Sequence, residues 1–291
     1  MQALTADESF LSERGSGRVE QVFSRAVNLL IPGQQRLLTL LCQGYDNAPN
    51  SCRLAFTHLD DLFRPGETVR FLDSGVAIGD DKWIATSSCG RWQMAKPALD
   101  GDRLQRIPWQ RWSQAIHQQL HAHETLFLYR GDNPFYQEIA RQLQHRRAAL
   151  FAALKQGRNI TEAVARMVGL GIGLTPSADD YLVGLSIILF IHHHPAEKYK
   201  PAFLSALQCA RKNTTLLSAM TLEAAINQRY RENIAALIDG LMNNPDRFPG
   251  RTINAIKNIG SSSGCDMLYG IADACALSQI YGGNDVSQNS G

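Results

Sequence analysis

The chain has 291 residues, with 29 Lys and Arg against 27 Asp and Glu, so its formal net charge is +2. Charged residues make up 19% and hydrophobic residues 44%, a globular composition that excludes disorder over most of the length. There is no basic stripe with interleaved aromatic residues, and the longest apolar run, 182–191, is too short for a membrane span. We therefore expect no nucleic-acid partner, no membrane partner and, without a signal-peptide pattern, a cytoplasmic protein.

The first third of the chain is predicted to be β structure. Residues 1–17 are polar and are expected to form a flexible leader. Short runs of β-branched and apolar residues follow, separated by turn sequences such as Pro32-Gly33. These runs are 19–31, 36–41, 53–56, 67–72, 75–78 and 82–87. Several short strands at this spacing predict a small β-barrel or sandwich domain over 18–98.

From about residue 99 the apolar pattern becomes helical, and a larger all-α domain is predicted over 99–281. Asn133-Pro134 is a helix start, and Gly157 is the expected end of that helix. Further helices are expected at 160–169, 177–191, 196–210, 213–228, 230–243, 250–258 and 263–281. Residues 282–291 are expected to be a flexible tail. The fold class is therefore α+β.

A glycine-rich segment precedes one of these helices. Gly169, Gly171 and Gly173 alternate, and Thr175-Pro176-Ser177 then leads into a helix with Asp179 and Asp180 in its first turn. Glycines at this density let backbone amides approach a ligand, and a helix N-terminus favours an anion. The segment lacks the Gly-Lys-Ser/Thr of a phosphate-binding loop and the third glycine of a dinucleotide fingerprint. The alternative is an ordinary helix start, with Ser177 as the N-cap and Asp180 completing the capping box.

Part of this pattern occurs a second time. Ser-x-x-Asp-x-Leu-x-Gly begins at Ser177 and again at Ser263, with every matching position offset by 86 residues (263 − 177 and 270 − 184). Capping explains Ser-x-x-Asp but not the mid-helix glycines Gly184 and Gly270, each of which costs about 1 kcal/mol relative to Ala. We therefore expect the two helices to cross at these glycines, which would place both N-termini at one anion site.

The aspartates of the two motifs have three possible roles. Asp180 and Asp266 are expected to cap their own helices, whereas Asp179 has no capping role and is the stronger functional candidate. A carboxylate there would hold Mg²⁺, a cation that prefers oxygen ligands, or act as a base toward an amide nitrogen. We take Asp179, Asp180 and Asp266 as candidate catalytic residues.

Other polar side chains complete the predicted site. Thr214, Thr215 and Ser218 place hydroxyls on one helical face, where they either bond back to the backbone or orient a phosphate or amide. Asn28 is a polar residue within an apolar run and is either a buried, satisfied amide or a ligand contact. The candidate substrate- or anion-binding residues are Gly171, Gly173, Thr175, Ser177, Thr214, Thr215, Ser218, Ser262, Ser263, Gly264 and Asn28.

These motifs together resemble the AllH family. The resemblance rests on Gly-x-Gly-x-Gly-Leu-Thr-Pro-Ser-x-Asp-Asp from Gly169, Thr-Thr-x-x-Ser from Thr214 and Ser-Ser-Gly-x-Asp-x-Leu-x-Gly from Ser262. Arg-Ala-Val-Asn-Leu from Arg25 and Leu-Leu-Thr-Leu from Leu37 are similar to the family's opening strands. The similarity extends over roughly residues 18–280, nearly the whole chain.

The resemblance implies a subunit of oxamate carbamoyltransferase, which interconverts oxalurate and phosphate with oxamate and carbamoyl phosphate in allantoin breakdown. It also implies partners, an FdrA-like subunit resembling acyl-CoA synthetases and a further large subunit. Departures at Ile172, Ala178 and Cys265 suggest a paralogue whose substrate need not be oxamate. The second hypothesis is an accessory subunit that stabilises its FdrA-like partner and binds no substrate.

Overall fold

The computed structural model describes residues 1–94 and 96–283, which form two compact units. The first comprises Met1–Ala95 with Tyr230–Glu232, and the second comprises Lys96–Arg229 with Asn233–Gly291. The first unit thus ends a few residues before the predicted boundary at 98. Tyr230–Glu232 belongs to it because Arg231 donates to Asp46 (3.1 Å from Nε) and the Asn47 side chain donates to Glu232 (2.8 Å).

A single nine-stranded sheet makes up most of the first unit. Its strands are β1 (Ala3–Asp7), β2 (Ser16–Val22), β3 (Ala26–Ile31), β4 (Arg36–Leu41), β5 (Ser51–Leu54), β6 (Thr68–Leu72), β7 (Gly75–Ile78), β8 (Lys82–Ala85) and β9 (Gly90–Trp92). Their order across the sheet is β8-β7-β6-β2-β3-β4-β5-β1-β9. The predicted run 19–31 is therefore two antiparallel strands, β2 and β3, joined by a tight turn in which the Phe23 amide donates to Ala26 O (2.8 Å).

The sheet curls until one edge returns to the chain's first residues. The Met1 amino group donates to Trp83 O (2.6 Å), the Ala85 amide donates to Met1 O (3.0 Å), and Gln2 forms a parallel bridge with Ala85. The result is a half-barrel with its apolar side chains inside, as the alternation in β6 shows: Val69 and Phe71 are buried between exposed neighbours. With 50% helix and 17% strand, the α+β prediction is confirmed.

The predicted flexible leader is wrong, because residues 1–17 are part of this sheet. Strand β1 lies between β5 and β9, and a short helix, α1 (Glu8–Leu11), follows it. Ala3, Ala6 and Phe10 are buried. Polar composition concealed this, since Ala gives a weak hydrophobic signal and the polar Glu13 is itself buried, with Oε1 accepting from the amides of Arg14 and Gly15 (2.9 and 2.6 Å).

Helices build the second unit. They are α2 (Gly101–Arg106), α3 (Trp109–Gln118), α4 (Pro134–Gln156), α5 (Ile160–Met167), α6 (Ser177–Leu189), α7 (Lys200–Ala210), α8 (Leu216–Ile226), α9 (Glu232–Asn243), α10 (Gly250–Lys257) and α11 (Ser263–Gly283). The predicted ends of α4 are confirmed: Asn133 accepts from the amides of Phe135 and Tyr136, and Gly157 ends the helix with φ +66°.

The centre of this unit is formed by α6 and α11, the two helices that carry the repeated motif. Every residue of α6 is buried, so that helix is enclosed on all sides rather than on one face. Within the described ranges, no helix is both long and apolar enough to cross a membrane. Gly282 and Gly283 continue α11, which corrects the start of the predicted tail, and residues 284–291 lie outside the described residues.

The burial of α1 predicts a loss of stability when its buried aromatic side chain is removed. Phe10 is 1% exposed and packs edge-on against Phe71 with ring centroids 5.5 Å apart. Phe10→Ala should therefore lower the free energy of unfolding by about 3–5 kcal/mol in urea denaturation. The control is Phe135→Ala, at a side chain 61% exposed on α4, which should change it by less than about 0.5 kcal/mol. Equal, small effects of both changes would contradict an ordered N-terminal segment.

Candidate functional site

Helices α6 and α11 touch backbone to backbone at the two motif glycines. A methyl group at Gly184 would lie 2.0 Å from Met267 O, and one at Gly270 would lie 2.1 Å from Tyr181 O. No side chain larger than hydrogen fits at either position without moving a helix. The predicted crossing is therefore confirmed, and it explains the glycine in each copy of the motif.

The crossing brings the two helix N-termini together, and we call residues 175–180 and 261–266 the helix junction. The hydroxyls of Thr175 and Ser263 are hydrogen-bonded at 2.7 Å. Each helix also sends a serine to the other's aspartate, since Ser263 bonds Asp180 and Ser177 bonds Asp266. The two motif copies are thus joined by reciprocal serine–aspartate hydrogen bonds.

These contacts between the helices contradict the prediction that Ser177, Asp180 and Asp266 cap their own helices. Pro176 occupies the N-cap position of α6, where no side chain of the described residues makes a capping hydrogen bond. Ser177 is already the first helical residue. The Ser-x-x-Asp spacing is that of a capping box, but here it positions both side chains toward the partner helix.

Asp180 is a buried carboxyl with incomplete hydrogen bonding. It is 1% exposed, and the hydroxyls of Ser263 and Thr175 bond it. Its Oδ2 is buried and has no partner among the described residues. Burial raises the pKa of Asp180 well above its usual value, and the nearby charge of Asp266 raises it further.

Asp266 has the equivalent environment on the other helix. Thr125 donates a 2.5 Å hydrogen bond to its Oδ1, and the hydroxyls of Ser177 and Ser262 bond the same carboxyl. Its Oδ2 is likewise buried without a partner in the described part of the chain. Burial raises the pKa of Asp266 to about 7, although the three hydroxyls oppose this. Sequence reasoning missed Thr125, which lies outside every motif and carries no local signal.

Asp179 binds the glycine segment to α8. Its Oδ1 accepts from the Gly169 amide (2.7 Å), and its Oδ2 accepts from Ser218 (2.7 Å) and from the Thr214 hydroxyl. Thr215 in turn donates to Leu174 O (2.6 Å) and caps α8 by accepting from the Ser218 amide (3.1 Å). The three hydroxyls therefore hold the glycine segment in place.

These contacts also bear on the predicted magnesium ion. Both oxygens of Asp179 already accept hydrogen bonds from the protein. Across residues 1–94 and 96–283, no group of three or more His, Cys, Asp or Glu side chains is arranged to hold a metal ion. Magnesium at Asp179 thus stays a prediction that the donor set does not favour.

The glycines of the site differ in what fixes them. Methyl groups at Gly169, Gly171 and Gly264 would collide with Asn213 O (2.0 Å), the Ser177 amide nitrogen (2.4 Å) and Ile256 O (1.8 Å). Close packing therefore requires these three. Gly173 is different: its φ is +87°, and no atom of the described residues lies within 4 Å of where its Cβ would be. Gly173 is thus exposed two residues before the helix junction begins, and we call it, with the half-buried hydroxyls of Thr175, Ser262 and Ser263, the rim.

The backbone amides at the tips are partly used by the protein itself. The Ala178 amide donates to Leu170 O (2.9 Å), and the Gly264 amide donates to Ile259 O (3.0 Å). Thr175, Ser262 and Ser263 are half-buried at the same place, and Ser261 is exposed. Anion binding by these tips stays a prediction, and the half-buried hydroxyls are its accessible part.

Asn28 is not part of the junction. It lies on β3 in the first unit, is 3% exposed, donates to Gln21 Oε1 (2.9 Å) and accepts from Thr39 (3.0 Å). Asn28 and Thr39 face each other across β3 and β4. Of the two readings of this residue, the geometry favours the buried, satisfied amide.

Two models of known protein families match the chain. A family model described as oxamate carbamoyltransferase subunit AllH matches residues 167–275, which include both motif copies. A second, the AllH family N-terminal domain, matches residues 2–91. The chain belongs to the AllH family. No solved structure matches it.

A second buried polar cluster lies on α11, two turns beyond the helix junction. Asp273 is 1% exposed and accepts from Arg147 (2.5 and 2.6 Å) and from the Tyr181 hydroxyl (2.6 Å), with His117 Nε2 at 3.6 Å. Burial opposes ionisation, but the hydrogen bonds from His117 and Arg147 outweigh it and lower the pKa of Asp273. The pKa of Asp273 is therefore shifted down, whereas the pKa values of Asp180 and Asp266 are shifted up. In the sequence, the signal for Asp273 is its position as a charged residue within an apolar helix.

The crossing predicts opposite effects of one substitution at two helical glycines. Gly184→Ala should lower the free energy of unfolding by about 1–3 kcal/mol or more, because its methyl group would meet Met267 O. Gly240→Ala in α9 is the matched control, since no described atom lies within 4 Å of its Cβ position. It should raise stability by about 0.5–1 kcal/mol through higher helix propensity. Chemical denaturation measures both, and a stabilising Gly184→Ala would contradict the backbone contact.

Proposed function

We propose that this AllH-family chain is a subunit of a carbamoyltransferase-type complex. It would act on oxamate, oxalurate or a related small carboxylate together with carbamoyl phosphate. The family description, oxamate carbamoyltransferase subunit, supports the reaction class. The observation that carries the location is the helix junction, where two copies of one motif cross and enclose two carboxyls with raised pKa values.

The reaction needs a proton at one atom. When a phosphate oxygen attacks the carbamoyl carbon of oxalurate, the new C–O bond forms and the C–N bond breaks. The departing oxamate nitrogen then takes up a proton, and carbamoyl phosphate is the second product. A group with a pKa near the working pH is best suited to give and take that proton. Asp266, with a pKa of about 7, has this property.

The half-buried hydroxyls connect the buried carboxyls to the protein surface. Ser263 and Thr175 bond Asp180, and Ser262 bonds Asp266. A substrate at the rim would therefore contact these hydroxyls and the exposed backbone at Gly173. The carboxyls of Asp180 and Asp266 would not contact it directly but through the hydroxyls that bond them. The charged ends of the substrate and of phosphate would stay on the solvent side, since a bare anion is repelled by an ionised carboxylate.

Partner subunits are part of this proposal. The family description names a subunit, so other chains complete the complex. We propose an FdrA-like protein and a further large subunit as those partners, and assays of the reaction should include them. Phosphorolysis or arsenolysis of oxalurate, followed as oxamate release, is the direct measurement.

A matched pair of glycine variants tests the site. Gly173 and Gly66 have nearly the same left-handed backbone (φ +87° and +91°), and neither has a described atom within 4 Å of its Cβ position. Alanine at either position should cost about 1 kcal/mol of backbone strain. Only Gly173→Ala should also raise KM for oxalurate in the assembled complex, by about tenfold if one close backbone contact is lost. Equal KM values for the two variants would remove the rim from the substrate site.

The accessory role is a second candidate that one observation favours. Asp180 and Asp266 are 1% and 0% exposed, and the Ala178 amide at the tip is already bonded. A purely structural junction would look the same. Thermal unfolding with phosphate, oxamate, carbamoyl phosphate or Mg²⁺ separates the two roles, because a ligand of the native state raises Tm by mass action. A rise with oxamate or carbamoyl phosphate supports the substrate site, and no rise at high concentration supports the accessory role.

A further inference from the structure

We propose that Asp180 and Asp266 hold one proton between them at neutral pH, in a hydrogen bond that joins their Oδ2 atoms. Both Oδ2 atoms are buried, and neither has a hydrogen-bond partner among the described residues. An unpaired buried carboxyl oxygen is costly, whereas a protonated carboxyl is a donor and its ionised neighbour an acceptor. One shared proton would therefore satisfy both orphaned atoms at once.

The helix crossing places the two carboxyls in equivalent positions. Asp180 lies four residues before Gly184, and Asp266 lies four residues before Gly270, so each is one turn from the point of backbone contact and on its face. Each carboxyl also reaches the other helix, because Ser263 bonds Asp180 and Ser177 bonds Asp266. The two carboxyls are also near enough for the charge of Asp266 to raise the pKa of Asp180.

The surrounding charges favour a single negative charge on the pair. Asp179 and Tyr181 flank Asp180 on α6, and Cys265 precedes Asp266 on α11. The cations of the neighbouring elements are paired with other carboxylates: Lys257 of α10 with Glu124 (2.8 Å), and Arg147 of α4 and His117 of α3 with Asp273 (2.5 and 3.6 Å). Two ionised carboxylates side by side would have no counter-ion from these cations, so the second proton is held strongly.

A shared proton does not require the proposed substrate. A shared proton gives the pair two joint titration steps, one on each side of the singly charged form, instead of one step for each residue. If the chain is catalytic, the pair is the proton store behind the hydroxyl rim. If it is an accessory subunit, the same proton is what allows the two motifs to cross with their carboxyls buried.

Carbon-13 NMR of aspartate carboxyl groups tests the proposal on the full-length chain. With ¹³Cγ-labelled Asp, the signals of Asp180 and Asp266 are assigned from Asp180→Asn and Asp266→Asn and followed from pH 4 to 9. In the unmodified chain, both signals should move together in each step that falls within this range. In either variant, the remaining carboxyl should give one step, displaced by about one pH unit or more. Asp239→Asn on α9 is the control and should change neither curve.

Two results would overturn the proposal. One is a remaining carboxyl whose titration midpoint is unchanged by the Asn substitution on the other helix, which means that the two groups do not interact. The other is separate single-step curves for Asp180 and Asp266 in the unmodified chain. This second result needs no variant, so the proposal stays testable even if both substitutions prevent folding.

Stability against pH gives an independent readout. The pKa of Asp266 is raised to about 7 in the folded state, so its contribution to stability is fully present below the unfolded pKa near 4 and is lost as the pH rises to about 7. Asp266→Asn keeps Asp180 but has one carboxyl with a raised pKa fewer, so its urea midpoint should depend less strongly on pH over this range. The same slope in both proteins would contradict a proton held at this site.

Discussion

The backbone contact between α6 and α11 at Gly184 and Gly270 is the constraint on which the rest of the site depends. Each glycine weakens its own helix by about 1 kcal/mol, and a methyl group at either one would collide with a carbonyl of the other helix. The close approach fixes where both N-termini lie. It therefore decides that Thr175 meets Ser263 and that each aspartate meets the serine of the other motif.

The close contact of the two helices also buries two carboxyl groups, which disfavours their ionised forms. Two carboxyls lie in the middle of a unit with little solvent, and burial raises the pKa of each. Asp273, two turns further along α11, shows the other way to bury a carboxylate, since Arg147 and Tyr181 satisfy it. On α11, hydrogen bonds from His117 and Arg147 lower the pKa of Asp273, whereas burial raises the pKa of Asp266 and, on α6, that of Asp180. Polar groups left incompletely satisfied are typical of functional sites, because packing alone would not preserve them.

How much the sequence predicts depends on the range of the interaction. The offset of 86 residues between the motifs was enough to predict the crossing, because a mid-helix glycine needs a tertiary reason. Local helix caps such as Asn133 could also be predicted from the sequence. The capping prediction for Asp180 and Asp266 was wrong because Ser-x-x-Asp has the same spacing whether its side chains bond the helix's own backbone or a second helix. Thr125 and Arg147 were missed because their partners are 141 and 126 residues away.

The most direct measurement of the central claim is a double-mutant cycle between Gly184→Ala and Gly270→Ala, followed as free energies of unfolding. Both methyl groups would enter the same crossing, so the first forces the helices apart and makes room for the second. We expect the double variant to lose less stability than the sum of the two single losses, with a difference of about 1 kcal/mol or more. Additive losses would mean that the two glycines are independent and that the motifs do not meet at this contact.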